Sequence, residues 1–374
     1  MIKVGILGGG QLGRMLLQAA ANYPVETHVL ENDPGCPAAH LCHHFTLGDI
    51  RDFNTVYQFG KQVDALTIEI ESVNVEALEK LEAEGVRIYP RPHALRIIRN
   101  KIEQKQFYHA KAIPTSVFHV VENANAIKEH LDFLPAVQKL GMGGYDGRGV
   151  QVLKSEGNLS LAFDAPSVLE KMVAIEKEIS MIVAVSENGD TALYPPAEMV
   201  FDPELNLLDY QISPASLPEK TLHELQTIST KLVKELQSPG LFAVELFIDQ
   251  DGKVLVNETA PRVHNSGHHS IEGNYCSQFD MLWRIMLQLP LGNTASIQPT
   301  ILVNLVGAAN EEGFAHYDGL DSVLNNDHAF VHIYGKTHTK PGRKMGHITL
   351  MGSDTGRLIE EAHHIKKILR VVGT

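Results

Sequence analysis

Two acidic residues lie where a β-hairpin forces them together. The runs Leu241–Ile248 and Lys253–Glu258 flank Asp251-Gly252, a favoured pair for a two-residue type I′ turn. With Gln250 opposite Lys253, the register sets Glu245 directly opposite Glu258, on a face shared with Phe247 and Val256. Directly opposed side chains have Cβ atoms about 4.5–5.5 Å apart, where two carboxylates repel unless something positive lies between them. A divalent cation resolves the conflict. Oxygen-only ligands suit Mg2+, with Mn2+ as a substitute, and Mg2+ shares its remaining positions with waters and nucleotide phosphates. Asn257 adds an amide beside the pair. The competing readings are a longer turn that shifts the register and leaves one acid in solvent, or one acid that keeps its proton.

Two glycine-rich turns offer backbone N–H groups. Gly8-x-Gly10-x-x-Gly13 follows a strand and opens a helix, where bare amides and the helix dipole hold a phosphate. Glu31, at the end of the second strand, falls where a dinucleotide fold keeps its ribose-binding acid. Nicotinamide binding, other phosphate binding and a purely geometric turn all fit these residues. The second turn, Gly141 to Gly149, has five glycines in nine positions and leads into VQVLK, which alternates like a strand. It reads as a hairpin flap rather than a P-loop, or more plainly as a surface hairpin. Lys139 at its base, several amides and Arg148 converge there on a polyphosphate.

After Glu258 comes a polar loop with Arg262, whose planar fork clamps an anion, and His264, which carries a proton or serves as a hydrogen-bond partner. Near the end of the chain, Lys336, Lys340, Arg343 and Lys344 surround a Pro-Gly turn and suit a phosphate or plain solvent. Cys36, His40, Cys42, His43 and His44 match no zinc spacing and are read as non-metal residues.

Alternating strands and helices must position these groups. IKVGIL at residues 2–7, the apolar runs Thr27–Leu30, Val63–Ile68 and Val86–Tyr89, and the helical stretches Gln11–Ala21, Thr55–Gln62 and Val75–Glu84 predict a doubly wound parallel-sheet domain over residues 1–92. Residues 93–290 read as an α+β domain with a long helix near Glu219–Leu236. Residues 291–374 read as a small, mostly-β unit with strands near Pro299–Val306, His328–Tyr334 and His347–Leu350.

The 374 residues are 44% hydrophobic and 21% charged, which excludes a disordered chain. With 32 Lys+Arg against 45 Asp+Glu, the net charge of −13 argues against nucleic acid as a partner. Three cysteines make no disulfide framework and suit a reducing compartment. Without an apolar run near the roughly 20 residues of a membrane span, and without a leader in MIKVGILGGG, the chain is expected in the cytoplasm, away from membranes.

With GGGQLGRM from Gly8, Lys139 before GGYDGRG, NETAPRVHNSGHH from Asn257 and YGK with PGRKMGH from Tyr334, the sequence resembles the 5-(carboxyamino)imidazole ribonucleotide synthetases, ATP-grasp enzymes of purine synthesis. The resemblance spans nearly the whole chain. It implies a central ATP-grasp domain, a homodimer, and ATP-dependent carboxylation of 5-aminoimidazole ribonucleotide by bicarbonate through carboxyphosphate. Lys101 and Lys139 match nucleotide-phosphate contacts. Gly144, Tyr145, Asp146, Gly147, Arg148, Gly149 and Val150 match the flap, and Glu170, Lys171, Met172, Val173 and Glu178 match adenine and ribose contacts. Asn257 and Glu258 also match the nucleotide site, and Glu245 and Glu258 the magnesium ligands. Tyr145, Asp146, Arg148, Arg262 and His264 match residues around bicarbonate and the aminoimidazole, with Asp146 the acceptor of the amine proton. Gln11, Leu12, Asn265, Ser266, Lys336, Arg343 and Lys344 match substrate contacts, so the first turn becomes a nucleotide-substrate site rather than an NAD site.

The chain departs from the pattern at Leu140-Gly141-Met142, where many relatives carry Arg, and at Phe201, where some place a His. Another ATP-grasp ligase, such as the formate-using glycinamide ribonucleotide transformylase, is the nearest rival. An NAD-dependent dehydrogenase and a non-catalytic nucleotide sensor are the rivals from other classes.

Overall fold

The computed structural model describes residues 1–144, 149–201 and 208–374. Five strands, β1 (Ile2–Leu7), β2 (Val25–Glu31), β3 (His44–Leu47), β4 (Ala65–Ile68) and β5 (Arg87–Tyr89), form a parallel sheet in the order β3-β2-β1-β4-β5. Helix α1 (Gln11–Ala20) follows β1, while α2 (Phe53–Gly60) and α3 (Val75–Ala83) start at Asp52 and Asn74, whose side chains accept from the N–H groups of Thr55 and Ala77. Strand order reverses at β1 and β4. In a doubly wound sheet the crevice beyond the carboxyl ends of such a pair is where ligands bind.

Helices α4 (Pro92–Arg99) and α5 (Lys101–Ala110) lead into a four-stranded antiparallel sheet of β6 (Phe118–Val121), β7 (Ala136–Leu140), β8 (Val150–Leu153) and β9 (Ser167–Lys171), in the order β6-β9-β7-β8. Lys139 pairs with Val150, so β7 and β8 form an antiparallel pair on either side of the second glycine turn.

A larger antiparallel sheet then begins with β10 (Ile175–Val185), β11 (Thr191–Leu193), β12 (Ala197–Phe201) and β13 (Leu208–Ser213). After α6 (Glu219–Glu235), the strands β14 (Gly240–Asp249) and β15 (Val254–Ala260) complete one edge. Helices α7 (Ser270–Gly273) and α8 (Gln278–Met286) follow. The C-terminal unit supplies β16 (Thr300–Val306), β17 (Gly313–Asp318), α9 (Leu320–Leu324), β18 (Ala329–Ile333), β19 (His338–Thr339), β20 (Lys344–Met351), α10 (Thr355–Ile368) and β21 (Arg370–Gly373). Strand β16 pairs with β13, so the large sheet runs unbroken through β20 to β18.

The parts are fastened through their cores. Trp283 of α8 is fully buried and its indole N–H donates to Leu16 O of α1 at 2.7 Å, while Tyr23 O–H donates to Asp280 at 2.5 Å. One continuous apolar cluster therefore includes Leu16, Met15, Phe279 and Trp283. Among the described residues no helix is long and apolar enough to cross a membrane.

Candidate active site

The carboxylate pair forms by a route that differs from the sequence expectation. The β14–β15 turn is a three-residue loop: Asp249 N–H donates to Lys253 O, and Gly252 takes the left-handed conformation at φ +78°. Asp249 also accepts from the N–H groups of Asp251 and Lys253 at 3.0 and 2.8 Å, which stabilises the longer loop. The register near the turn therefore pairs Phe247 with Leu255 and Leu246 with Val256, and Phe247 does not share its pairing with Val256 as expected. A bulge at Asn257 inserts one residue and restores the pairing of Glu245 with Glu258. It also lets two consecutive side chains, Asn257 and Glu258, reach lysines of the same site.

Those lysines come from two elements. Asn100 caps α5 by accepting from Ile102 N–H at 2.9 Å, which fixes Lys101 at the first helical position. Lys101 Nζ donates to Glu258 Oε2. From β7, Lys139 Nζ donates to Asn257 Oδ1 at 2.7 Å and lies 3.0 Å from Glu170 Oε1. Lys105, one turn after Lys101, is buried with its ammonium 2.9 Å from Glu170 Oε2 and 2.6 Å from Thr115 Oγ1.

Electrostatics follow from this arrangement. The Lys101 ammonium holds the Glu258 carboxyl well below the usual carboxylate range, while burial and the charge on Glu258 push Glu245 up. Burial alone would raise Glu170, but Lys139 and Lys105 outweigh it and hold the carboxyl low. Burial lowers Lys105 to about 8 against the pull of Glu170. Glu178 on β10 is pushed up to about 7 by burial. The side chain of Glu170 is thus committed to an ion triad. Beyond it, Lys171 Nζ donates to Phe133 O at 2.8 Å, and residues 172–174, with Met172 exposed, link the two antiparallel sheets.

At the flap, Lys101 N–H donates to Gly141 O at 2.8 Å and Leu140 N–H to Gly149 O at 2.9 Å. A Cβ on Gly141 would meet Ile102 Cδ1 at 2.9 Å and Pro166 O at 3.1 Å, so a side chain at this position would crowd α5 and the flap base. Gly144, Gly149 and Val150 flank the tip, whereas Tyr145, Asp146, Gly147 and Arg148 lie outside the described residues.

The polar loop after β15 faces the same carboxylates. His264 Nδ1 accepts from Ser266 N–H and contacts Ser266 Oγ at 2.9 Å, leaving the ring proton on Nε2, which is 3.7 Å from Glu245 Oε1. Ser266 is buried, its hydroxyl also 2.6 Å from Ser180 Oγ, so it orients His264; Asn265 is only partly buried. Arg262 Nε pairs with Glu71 Oε1 at 2.9 Å.

The first glycine turn is filled by its own acids. Gly9 N–H donates to Glu31 Oε2 at 3.0 Å and Gly13 N–H to Glu69 Oε2 at 2.5 Å, and burial raises Glu69 to about 7. A pyrophosphate would have to displace both carboxylates, so Glu31 is a turn ligand in this chain and not a free ribose acceptor. Leu12 is buried, but its N–H, like that of Gln11, is among those a helix start leaves without an intrahelical partner. Gly335, at φ +79°, lies against Arg14, where a Cβ would sit 3.3 Å from Nη1. That contact brings Lys336 beside the α1 turn, where its Nζ donates to Lys344 O at 2.7 Å, and Arg343 Nη1 donates to His338 O.

Comparison with known proteins places this geometry in a family. The ribonucleotide synthetase preATP-grasp domain model matches residues 1–99, the ATP-grasp domain model residues 106–279, and the phosphoribosylaminoimidazole carboxylase C-terminal domain model residues 300–361. The N5-carboxyaminoimidazole ribonucleotide synthase of Synechococcus elongatus is 35% identical over 355 residues, covering 93% of this chain and 89% of that protein. This chain belongs to the N5-carboxyaminoimidazole ribonucleotide synthase family. It is an ATP-grasp ligase.

The crystal structure of the family member from Thermotoga maritima is 37% identical and superposes with a TM-score of 0.93 over 100% of both chains. The synthase from Aspergillus clavatus, solved with ADP and 5-aminoimidazole ribonucleotide, is 31% identical, with a TM-score of 0.87 over 98% of this chain and 97% of that one. A longer relative, the chloroplastic phosphoribosylaminoimidazole carboxylase of Vigna aconitifolia, is 38% identical; this chain spans 64% of its length. The dehydrogenase reading of the first turn is not favoured by any of these likenesses.

Three groups of this family member were not singled out from sequence. Glu69 and Glu71 close the run TIEIE at the carboxyl end of β4, where acids in a doubly wound sheet face the crevice. Lys105 stands four residues after Lys101 on α5, so both share one helix face. In each case the spacing alone carried the signal.

Proposed function

We propose that this chain uses ATP and bicarbonate to carboxylate the exocyclic amine of 5-aminoimidazole ribonucleotide, giving 5-(carboxyamino)imidazole ribonucleotide, ADP and phosphate in purine biosynthesis. The observation that carries this reading is the meeting of Lys101 and Lys139 with Glu258 and Asn257 at the bulged edge of one ladder. Two ammoniums paired with acceptors that a cation also favours form a site poised to exchange those partners for phosphate oxygens.

In this account Lys101 and Lys139 transfer to the nucleotide phosphates and release Glu258 and Asn257. The oxygen-only donor set of Glu245 and Glu258, with Asn257 adjacent, fits Mg2+, which when bound neutralises charge on the transferring phosphoryl group. A bicarbonate oxygen attacks the γ-phosphorus and ADP leaves. Carboxyphosphate then breaks into CO2 and phosphate, the amine bonds to the CO2 carbon, and Asp146 takes the released proton. Arg262 and His264 hold the anions, Glu170 to Val173 with Glu178 receive the nucleoside, and the Gly144–Val150 flap excludes water. Gln11, Leu12, Asn265, Ser266, Lys336, Arg343 and Lys344 seat the ribonucleotide. The three free cysteines suit a reducing compartment such as the cytoplasm, and the family resemblance implies a homodimer.

The test is phosphate release from ATP with substrates omitted in turn. Release that requires both 5-aminoimidazole ribonucleotide and bicarbonate supports the proposal. Release with formate and glycinamide ribonucleotide instead would assign the chain to the rival ligase.

A further inference from the structure

A second cluster of metal-ligating side chains lies on the N-terminal sheet, toward the amino ends of its strands and away from the crevice. Glu26 and His28 alternate along β2 and so share a face. The β2–β3 ladder sets His44, on the edge strand, directly opposite His28. The two imidazoles stack with centroids 4.5 Å apart and planes 24° apart. Both Nε2 atoms converge on one oxygen: His28 at 3.1 Å and His44 at 3.0 Å from Glu26 Oε1. All three donor atoms lie within 4.8 Å of one another.

We propose that Glu26, His28 and His44 bind a borderline divalent transition ion, of the class of Zn2+, Ni2+ or Cu2+, with water completing the coordination. Two imidazoles and a carboxylate favour such ions over Mg2+, which prefers oxygen alone. Donors spaced this way come onto one ion at the usual ~2.0–2.2 Å by small movements of the side chains. Each ring then presents the Nε2 lone pair and keeps its proton on Nδ1. His28 is nearly buried and held by the sheet, whereas His44 leaves an open side for the ion and its waters. Lys3, opposite Glu26 in the β1–β2 ladder, is the charge that opposes the site.

The neighbouring Cys-His residues do not take part. His43 Nδ1 is 2.8 Å from Thr27 Oγ1, Cys42 Sγ donates to Ala39 O, and His40 contacts Arg14. The non-metal reading of the sequence also covered His44, whose partners come from β2 and were not visible in its local spacing.

Metal-stripped full-length protein, held in excess Mg2+ to saturate oxygen ligands, would be titrated calorimetrically with NiCl2 and, separately, with CuCl2 for electron paramagnetic resonance. The expected result is one equivalent bound, two nitrogen ligands in the Cu2+ spectrum, and affinity at least tenfold weaker in His44→Ala and Glu26→Gln but unchanged in Glu245→Gln. His44 is largely exposed, so its replacement leaves the fold intact. Zn2+ should also raise the melting temperature of the wild type and not of His44→Ala, because the ion ties the edge strand to its neighbour. Equal affinity in wild type and His44→Ala, or a Cu2+ spectrum that His44→Ala does not change, would overturn the proposal.

Discussion

Glu245 and Glu258 are directly opposed across the β14–β15 ladder, yet their environments differ: the Lys101 ammonium sits on Glu258, and the His264 ring faces Glu245 at 3.7 Å. Burial and the neighbouring charge push the Glu245 carboxyl up while Lys101 holds that of Glu258 down. Two acids of one ladder are thereby driven apart in charge state by the elements packed around them.

This asymmetry separates two variants that sequence alone would treat alike. Glu245→Gln and Glu258→Gln should each lower Mg-dependent turnover by about 100-fold or more, the scale of removing one electrostatic group from a reacting centre. Only Glu258→Gln leaves Lys101 without its counter-charge, and it should cost about 1–3 kcal/mol of stability, less than a fully buried pair because the lysine is partly exposed. Denaturant unfolding of both variants, beside steady-state kinetics, checks the contrast.

Lys105 acts through Glu170. Lys105→Met removes one cation from a buried triad and should destabilise the chain by about 3 kcal/mol. It should also raise the KM for ATP, because Glu170 then draws Lys139 away from Asn257. Adding Glu170→Gln should cost further stability, since Lys139 then loses the carboxylate that still balanced it; a double-mutant cycle measures this coupling.

Gly141→Ala should weaken ATP binding more than folding. The added methyl presses on Ile102 and on Pro166 O, at the point where Lys101 N–H meets the flap base, and overpacking of this kind costs about 1–3 kcal/mol. Ile102→Ala in the same chain should restore much of the KM, which kinetic comparison of the single and double variants reveals.

Two sets of buried groups oppose each other on mild acidification. His268, His269 and His347 are buried, and burial holds each below its ordinary value, His269 at about 4. The unfolded chain binds protons near pH 6.5 that the folded chain refuses, so the stability these rings contribute is complete above about 6.5 and is lost as pH decreases. Each contributes a slope of about 1.4 kcal/mol per pH unit. Glu170, held low by its lysines, adds a loss of the same sign only below the ordinary carboxylate range. Glu69, Glu178 and Glu245, which burial pushes up, bind protons in the folded chain that the unfolded chain releases, and so act with the opposite sign between the ordinary carboxylate range and about pH 7. Unfolding free energies between pH 7.5 and 5 should therefore change little in the wild type, whereas His347→Gln removes one refusing ring and should make stability rise on acidification.

The hairpin shows what sequence makes legible and what it hides. Alternating apolar residues marked β14 and β15, and their opposed acids were visible. Asp-Gly, however, fits both two- and three-residue loops, and the choice was made by Asp249 accepting two backbone N–H groups. The compensating bulge at Asn257 left no local mark. Strand β3 escaped notice because it is only partly buried and carries no apolar run. Helix α10 went unread although Asp354 caps it and Leu358, Ala362 and Ile365 recur on one face. Glu71 could be counted in the sequence, but its pairing with Arg262 depends on how the first and central units meet.

Oxygen-18-labelled bicarbonate reveals whether bicarbonate attacks the terminal phosphate beside the bulged ladder. Turnover with ATP and 5-aminoimidazole ribonucleotide, sampled before the label exchanges with water, should place one bicarbonate oxygen in each phosphate released. Unlabelled phosphate under those conditions would mean that bicarbonate does not attack phosphorus in this enzyme.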